Sequence, residues 1–345
     1  MPYEPPPDTQ TARRSAIGRW VSFALAIILV GLVAYLGYVG FQGSAQLTDP
    51  PSPSDDCRTP GIAYGWVYEA INYDAASDAV LAGLPDPEHC PGPGEPAGQR
   101  LQTSDGVGLA GWYIPSEGGT GPTGPTVVLA HGHGANKSNM LAYAAALHDD
   151  YNVVIFDFRN HGQSAGTQTT LGVIEQDDLR AVIDWVDTNK QPEQIAVLGV
   201  SMGGATALSE AVADQNVDAL ILDSTHATLA NALEARLARD GYPLSLPGAW
   251  SILLGSLLRT GQDISAIDPV QNIGLFDRPV LIIVGSQDDA IGDDDGQALL
   301  DAAEAGDTPA ELQICPGAGH GGPVQTCGDD YRDWVLGFLA RSLAP

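Results

Sequence analysis

Ser201 stands in the string Gly199-Val200-Ser201-Met202-Gly203, between an apolar run at 194–200 and a small-residue stretch at 203–208. A buried strand that turns sharply into a helix lifts such a serine off the end of a sheet, and glycines flank it because a Cβ there would clash. The chemistry this context predicts is nucleophilic attack by a hydroxyl. A serine hydroxyl is a weak nucleophile at neutral pH. It needs an imidazole to take its proton and a carboxylate to hold the imidazole's tautomer. The seven histidines are His89, His131, His133, His148, His161, His226 and His320, and only the last two follow Ser201. In strand–turn–helix nucleophile sites the chain order is serine, acid, histidine. His320, within Gly317-Ala318-Gly319-His320-Gly321-Gly322, is therefore the expected base, while His226 reads as a histidine in a polar turn. The acid is expected in Gly285-Ser286-Gln287-Asp288-Asp289, after the apolar run 280–284, with Asp288 the first choice and Asp289 the reserve.

A second match to the short motif, Gly162-Gln163-Ser164-Ala165-Gly166, lies in a polar stretch with no helix start after it. Ser164 is read as a loop serine. A tetrahedral intermediate needs two N–H donors. The expected pair is Met202, the residue after the nucleophile, and His133 in the loop His131-Gly132-His133-Gly134. The two histidines of that loop lack an evident third ligand, and the acidic run Asp293-Asp294-Asp295 lacks a calcium-loop pattern. Neither a metal nor a cofactor is expected.

These residues need a scaffold that brings distant loops together. From residue 99 onward apolar runs at 126–130, 152–158, 194–200, 219–223, 279–284 and 310–315 alternate with helical patterns. The helical patterns lie at 137–148, 171–188, 202–213, 296–305 and 329–343. Segments 100–103 and 109–114 read as a hairpin, which makes about eight strands. Continuous apolar strands alternating with helices predict a mostly parallel sheet covered on both faces, with sites at the strands' carboxyl ends. The leucine-rich interval from about 226 to 268 breaks the alternation and reads as an inserted helical cap.

The run 20–41 carries no charge. As a helix it would extend roughly 33 Å, enough to cross a hydrocarbon core. Arg13, Arg14 and Arg19 precede it and acidic residues dominate after it, so residues 1–19 are expected to be a disordered cytoplasmic tail and the rest to lie outside. A cleaved signal peptide is the rival reading, but its apolar region would be about 7–15 residues. Residues 42–60 read as a Pro/Ser-rich stalk and 61–98 as an N-terminal extension in which 62–72 has a short helical pattern. Cys57, Cys90, Cys315 and Cys327 fit two disulfides on the outer side, with Cys57–Cys90 and Cys315–Cys327 favoured among three pairings. A net charge of −28 argues against nucleic acid as a partner.

Several pieces, in order, resemble the α/β-hydrolase superfamily over residues 99–345. They are Asp105-Gly106 with Gly111-Trp112-Tyr113, the His131–Gly134 loop, Asp157-Phe158-Arg159-Asn160-His161-Gly162-Gln163-Ser164, the Ser201 turn, Gly285-Ser286-Gln287-Asp288 and Gly319-His320. The chain is most similar to membrane-anchored bacterial members akin to serine aminopeptidases and monoacylglycerol lipases. Asn160, Val284 and Gly292 depart from the family's usual residues. The resemblance implies hydrolysis of an ester or amide through an acyl-enzyme on Ser201. The expected partners are a small-molecule ester or peptide and, through the N-terminal helix, a membrane. An esterase or lipase-like activity is the first reading. A peptidase, for which Glu234, Asp240 and Asp263 are candidate amine clamps, and a catalytically silent binding protein are the alternatives. Nothing identifies substrate-binding residues.

Overall fold

The structure, a computed structural model, describes residues 9–50, 58–72, 101–119, 121–291 and 293–343. Its strands are β1 (Glu69–Asn72), β2 (Ala110–Ile114), β3 (Thr126–Ala130), β4 (Asn152–Phe156), β5 (Ile195–Val200), β6 (Ala219–Asp223), β7 (Val280–Gly285) and β8 (Ala310–Cys315). They form one sheet in the order β1-β2-β4-β3-β5-β6-β7-β8. The pairs β1–β2 and β2–β4 are antiparallel, and every other pair is parallel. The helices are α1 (Thr9–Thr48), α2 (Pro60–Tyr64), α3 (Leu141–Leu147), α4 (Glu175–Lys190), α5 (Met202–Ala213), α6 (Leu229–Arg239), α7 (Ser245–Thr260), α8 (Pro269–Ile273), α9 (Asp293–Ala305), α10 (Pro323–Thr326) and α11 (Gly328–Ser342).

Strands β2 to β7 are buried on both faces, whereas β8, expected as another buried apolar strand, is a half-exposed edge strand carrying Glu311 and Gln313. Val128, Val197, Leu220 and Ile282 pack with Val182 of α4 and Leu208 of α5. Their neighbours Leu129, Leu198, Ile221 and Leu281 face the other way, onto Leu147 of α3 and Leu339 of α11. The parallel strands all end on one edge, so the loops after β3, β5, β6, β7 and β8 converge there.

The N-terminal part departs from expectation. The partner of β2 is β1, inside the stretch read as helical, and not 100–103. Gly65 in the left-handed conformation (φ 73°) closes α2, and the chain then runs extended into β1. Buried Ile71 and the Glu69–Lys190 ion pair fix that strand, while Gln102 makes only an isolated bridge to Gly108. Helix α1 also outruns the apolar segment at both ends, covering residues assigned to the tail and the stalk. Residues 42–48 stay helical because one face has partners. Ser44, Leu47 and Thr48 are buried, and a Cβ on Gly43 would meet the Ile252 side chain of α7 at 2.5 Å. The interval read as a cap holds α6 and α7, and α7 lies directly on α1.

Candidate active site

Strand β5 ends at Val200, and the chain turns through Ser201 into α5. Ser201 has φ 54° and ψ −116°, a backbone conformation costing on the order of 1–3 kcal/mol. The surroundings hold it there. Its N–H donates to the Asp223 carbonyl of β6 at 2.9 Å, and its own carbonyl accepts from the N–H groups of Gly204 and Ala205 at 3.0 and 3.1 Å. A Cβ on Gly203 would stand 2.2 Å from the Ala130 carbonyl oxygen, so only glycine lets α5 start this close to β3.

The hydroxyl lifted by this turn meets the two groups expected from chain order. His320 Nε2 lies 3.0 Å from Ser201 Oγ, and His320 Nδ1 lies 2.9 Å from Asp288 Oδ2. A carboxylate can only accept, so Nδ1 carries the proton and Nε2 is free to accept from the serine. The second Asp288 oxygen accepts from the N–H groups of Ala290 and Ile291, each at 3.0 Å. The carboxylate is therefore buried and fixed. Asp289, the reserve acid, is exposed and pairs with Arg239 at 3.0 Å. Adjacent loop side chains pointing opposite ways decide between them.

A cavity of about 280 Å³ opens over Ser201 and His320. Its wall includes His133, Asn139, Tyr143 and Gln325. Met202 N–H opens α5, where no intrahelical carbonyl can take it. Among the described residues no hydrogen bond uses the His133 N–H. The His133 ring donates Nε2–H to the Leu47 carbonyl of α1 at 2.9 Å. The loop after β3 is thus tied to the end of α1, and Thr169 N–H bonds the Thr48 carbonyl at 2.9 Å beside it.

The remaining histidines support this loop cluster. His131 accepts from Phe158 N–H at 3.1 Å, and His161 accepts from Gly134 N–H at 3.2 Å. Burial pushes His131 down to about 3 and His133 down to about 4, and lowers His161 as well. Ser164 has a structural duty. Its hydroxyl donates to the Asp157 carbonyl at 2.6 Å and accepts from Ala110 N–H at 2.9 Å, pinning β2 to the loop after β4. The acids Asp293, Asp294 and Asp295 begin α9, and burial pushes Asp295 up to about 6.

Some neighbours of the site were not anticipated. Ser224 Oγ accepts from Gly321 N–H at 3.0 Å, and Tyr143 donates to the Gly321 carbonyl at 3.1 Å, so both hold the loop that carries His320. Asp223, wholly buried at the end of β6, is pushed up to about 7 by burial. The polar pair Asp223-Ser224 closing an apolar strand was the available signal. Tyr143 and Gln325 sit on helices, where nothing in the pattern marks them. The Cys315–Cys327 disulfide, with Cα atoms 6.0 Å apart, closes the same loop, while Cys57 and Cys90 lie outside the described residues.

His226 gives a pH prediction. It is buried with no partner for Nε2 among the described residues, and burial pushes it down to about 4. Below about pH 6.5 the unfolded chain takes up a proton that the folded site refuses. A depressed value means stability present above pH 6.5 and lost as pH falls toward 4. Between about pH 7.5 and about pH 5, wild type should lose roughly 2 kcal/mol relative to His226→Phe. Urea unfolding of both proteins at the two pH values checks this, and an unchanged gap contradicts it.

Comparison with known proteins agrees with this fold. Residues 127–334, more than half of the chain, match the profile described as the Alpha/beta hydrolase family. The protein Rv2307c of Mycobacterium tuberculosis is 31% identical over 252 residues, covering 72% of this chain and 81% of its own. YfhR of Escherichia coli K12 is 28% identical over 285 residues, covering 80% and 89%. Among solved structures, the Pyrococcus furiosus esterase Pf2001 superposes with a TM-score of 0.65 at 22% identity, over 86% of this chain and 99% of that one. A puromycin-hydrolyzing peptidase of Mycobacterium tuberculosis gives 0.56 at 19% identity, over 71% of this chain and 39% of its own. By fold, by order of motifs and by these matches, the chain belongs to the alpha/beta hydrolase family.

Proposed function

We propose that the protein is a serine hydrolase of carboxylic esters, held at a cell membrane by α1 with its hydrolase domain outside the cytoplasm. The observation that carries this reading is the row Ser201 Oγ, His320 Nε2 and Nδ1, Asp288 Oδ2, with contacts of 3.0 and 2.9 Å. Ser201 attacks the ester carbonyl as His320 takes its proton. The oxyanion rests on the N–H groups of Met202 and His133. His320 returns the proton to the departing alcohol, and a water repeats both steps to free the acid. Asp288 keeps the imidazole in the correct tautomer and balances its charge.

Ester cleavage is preferred over aminopeptidase action because, among the described residues, the cavity wall carries no carboxylate to hold a substrate's amine. The three candidate clamps are engaged elsewhere. Glu234 meets Ser245, Asp240 meets Arg236 and Arg239, and Asp263 caps the turn Ile264–Ala266. The anchor reading rests on the uncharged part of α1 and on the arginines at its amino side. A series of p-nitrophenyl esters set against aminoacyl anilides tests the substrate class. Esters should be turned over at least about a hundredfold faster in kcat/KM, a gap of about 2.7 kcal/mol. Faster cleavage of the anilides would assign the site to peptides instead.

A further inference from the structure

The cap helix α7 has two unlike faces. Gly248, Ala249, Ile252, Leu253 and Ser256 are buried against α1 and α6. On the opposite side Leu246, Trp250, Leu254 and Leu258 follow one another every four residues, which lines them along one stripe. All four are exposed, Leu258 by 78%, and Leu244 and Leu257 widen the stripe. A soluble domain seldom leaves so continuous an apolar face in water.

The contacts between α1 and α7 show what lies against that face. The two helices approach through small residues. A Cβ on Gly40 would stand 2.5 Å from the Ser251 carbonyl oxygen, and one on Gly255 would stand 2.6 Å from the Gly40 carbonyl oxygen. The packing is close and runs obliquely, with both chains advancing in the same direction. At the amino end of α7, Tyr35 donates its hydroxyl to the Pro243 carbonyl at 2.6 Å. At the carboxyl end, Arg259 donates to Ser44 Oγ at 2.8 Å and to the Phe41 carbonyl at 3.1 Å, with its guanidinium over the Phe41 ring.

Those contacts set a depth. A hydrocarbon core of about 30 Å takes about twenty helical residues, so a span entered at Trp20 leaves the core near residue 40. Tyr35 is about five residues, or roughly 7 Å, inside that boundary. The chain segment bonded to it, Pro243 with the start of α7, cannot then be in water. Arg259 emerges at the level of Phe41 and Ser44, where phosphates and glycerol esters lie. Roughly 5–10 Å is the depth at which an interfacial amphipathic helix buries its apolar face.

We infer that the amino-terminal part of the stripe, Leu246 and Trp250, is immersed in the acyl chains of the outer leaflet beside α1, with Leu254 at the core boundary and Leu258 at the level of the headgroups. The inference rests on the anchor reading above. It also places the site. The Leu47 carbonyl, which holds His133, is about seven residues beyond the core boundary, or roughly 10 Å above it. A crevice of about 80 Å³ between α1 and α6, bordered by Tyr38, Leu233, Leu237 and Leu47, spans the levels between the leaflet and that loop.

The full-length protein reconstituted in phosphatidylcholine vesicles doped with a diazirine-bearing phosphatidylcholine provides the test. After irradiation and trypsin digestion, three peptides matter: 20–58 with the anchor, 240–259 with α7, and 260–332, uncut at Arg278-Pro279, with Leu275. Leu275 is 67% exposed but lies before the amino end of β7, away from the anchor, and serves as an apolar control. Label on 240–259 should approach that on 20–58 and exceed that on Leu275 within 260–332 by at least about tenfold. Label on 20–58 with none on 240–259 overturns the inference and leaves the anchor intact. Absence of label from both removes the anchor reading and this one with it. Protection of 240–259 together with cross-links between copies at 250–258 would show that a second chain, not lipid, covers the stripe.

Discussion

Ser201→Ala is expected to lower kcat on an activated ester by about 10⁴- to 10⁶-fold while KM changes by no more than a few fold. The substitution removes the attacking oxygen and leaves the cavity wall, His133 and Met202 in place. Folding should be little affected, because the turn at Ser201 is held by its backbone bonds to Asp223, Gly204 and Ala205 and not by its hydroxyl. Adding His320→Ala to that variant should cost little further, since the imidazole acts only through the serine it deprotonates. Steady-state kinetics of the single and double variants measure both effects. A Ser201→Ala protein with kcat within about tenfold of wild type would rule this serine out as nucleophile.

Asp157→Ala should be the most damaging single change to stability, by about 3–5 kcal/mol. Asp157 is fully buried at the end of β4. It accepts from Lys137 Nζ at 2.6 Å, from Lys137 N–H at 2.7 Å and from Gln163 N–H at 2.9 Å. These bonds clamp the loop carrying His133 to the loop carrying Ser164. Truncation to alanine removes the carboxylate paired with the buried ammonium of Lys137 and releases both loops. Asp157→Asn, which keeps the shape and one acceptor, should be milder. Urea unfolding gives the stability, and ester turnover should fall with it because the proposed oxyanion loop loses its brace. A loss under about 1 kcal/mol would mean that the pair contributes little beyond its own desolvation.

Much of the site was legible because it is written in local context. The apolar run before Ser201 and the small residues after it are the strand and helix that the turn requires. Chain order led from Ser201 to Asp288 and His320, which stand in hydrogen-bonding contact. Sequence could not choose between Asp288 and Asp289. That depends on which side chain turns inward, and the N–H groups of Ala290 and Ile291 turn out to hold Asp288. Ser164 was read as a loop serine, but its bonds to Asp157 and Ala110 were invisible without the fold.

The N-terminal third was the least legible part. Strand β1 is four residues long and gains its place from β2 and from Lys190, a partner 121 positions away. Local pattern carries no trace of such a contact. Likewise the polar residues 42–48 look like the start of a stalk, and only their packing against α7 keeps them helical. The same packing turns α1 from a tether into part of the site, through Leu47 and His133.

The central claim is that Ser201 is an activated nucleophile. Incubating the full-length protein with a fluorophosphonate and mapping the adduct by peptide mass spectrometry tests it most directly. One adduct per chain on Ser201, absent from Ser201→Ala and slowed by about 10³-fold or more in His320→Ala, is the predicted result. An unmodified Ser201 in folded protein, or an adduct on Ser164 in its place, would contradict the account.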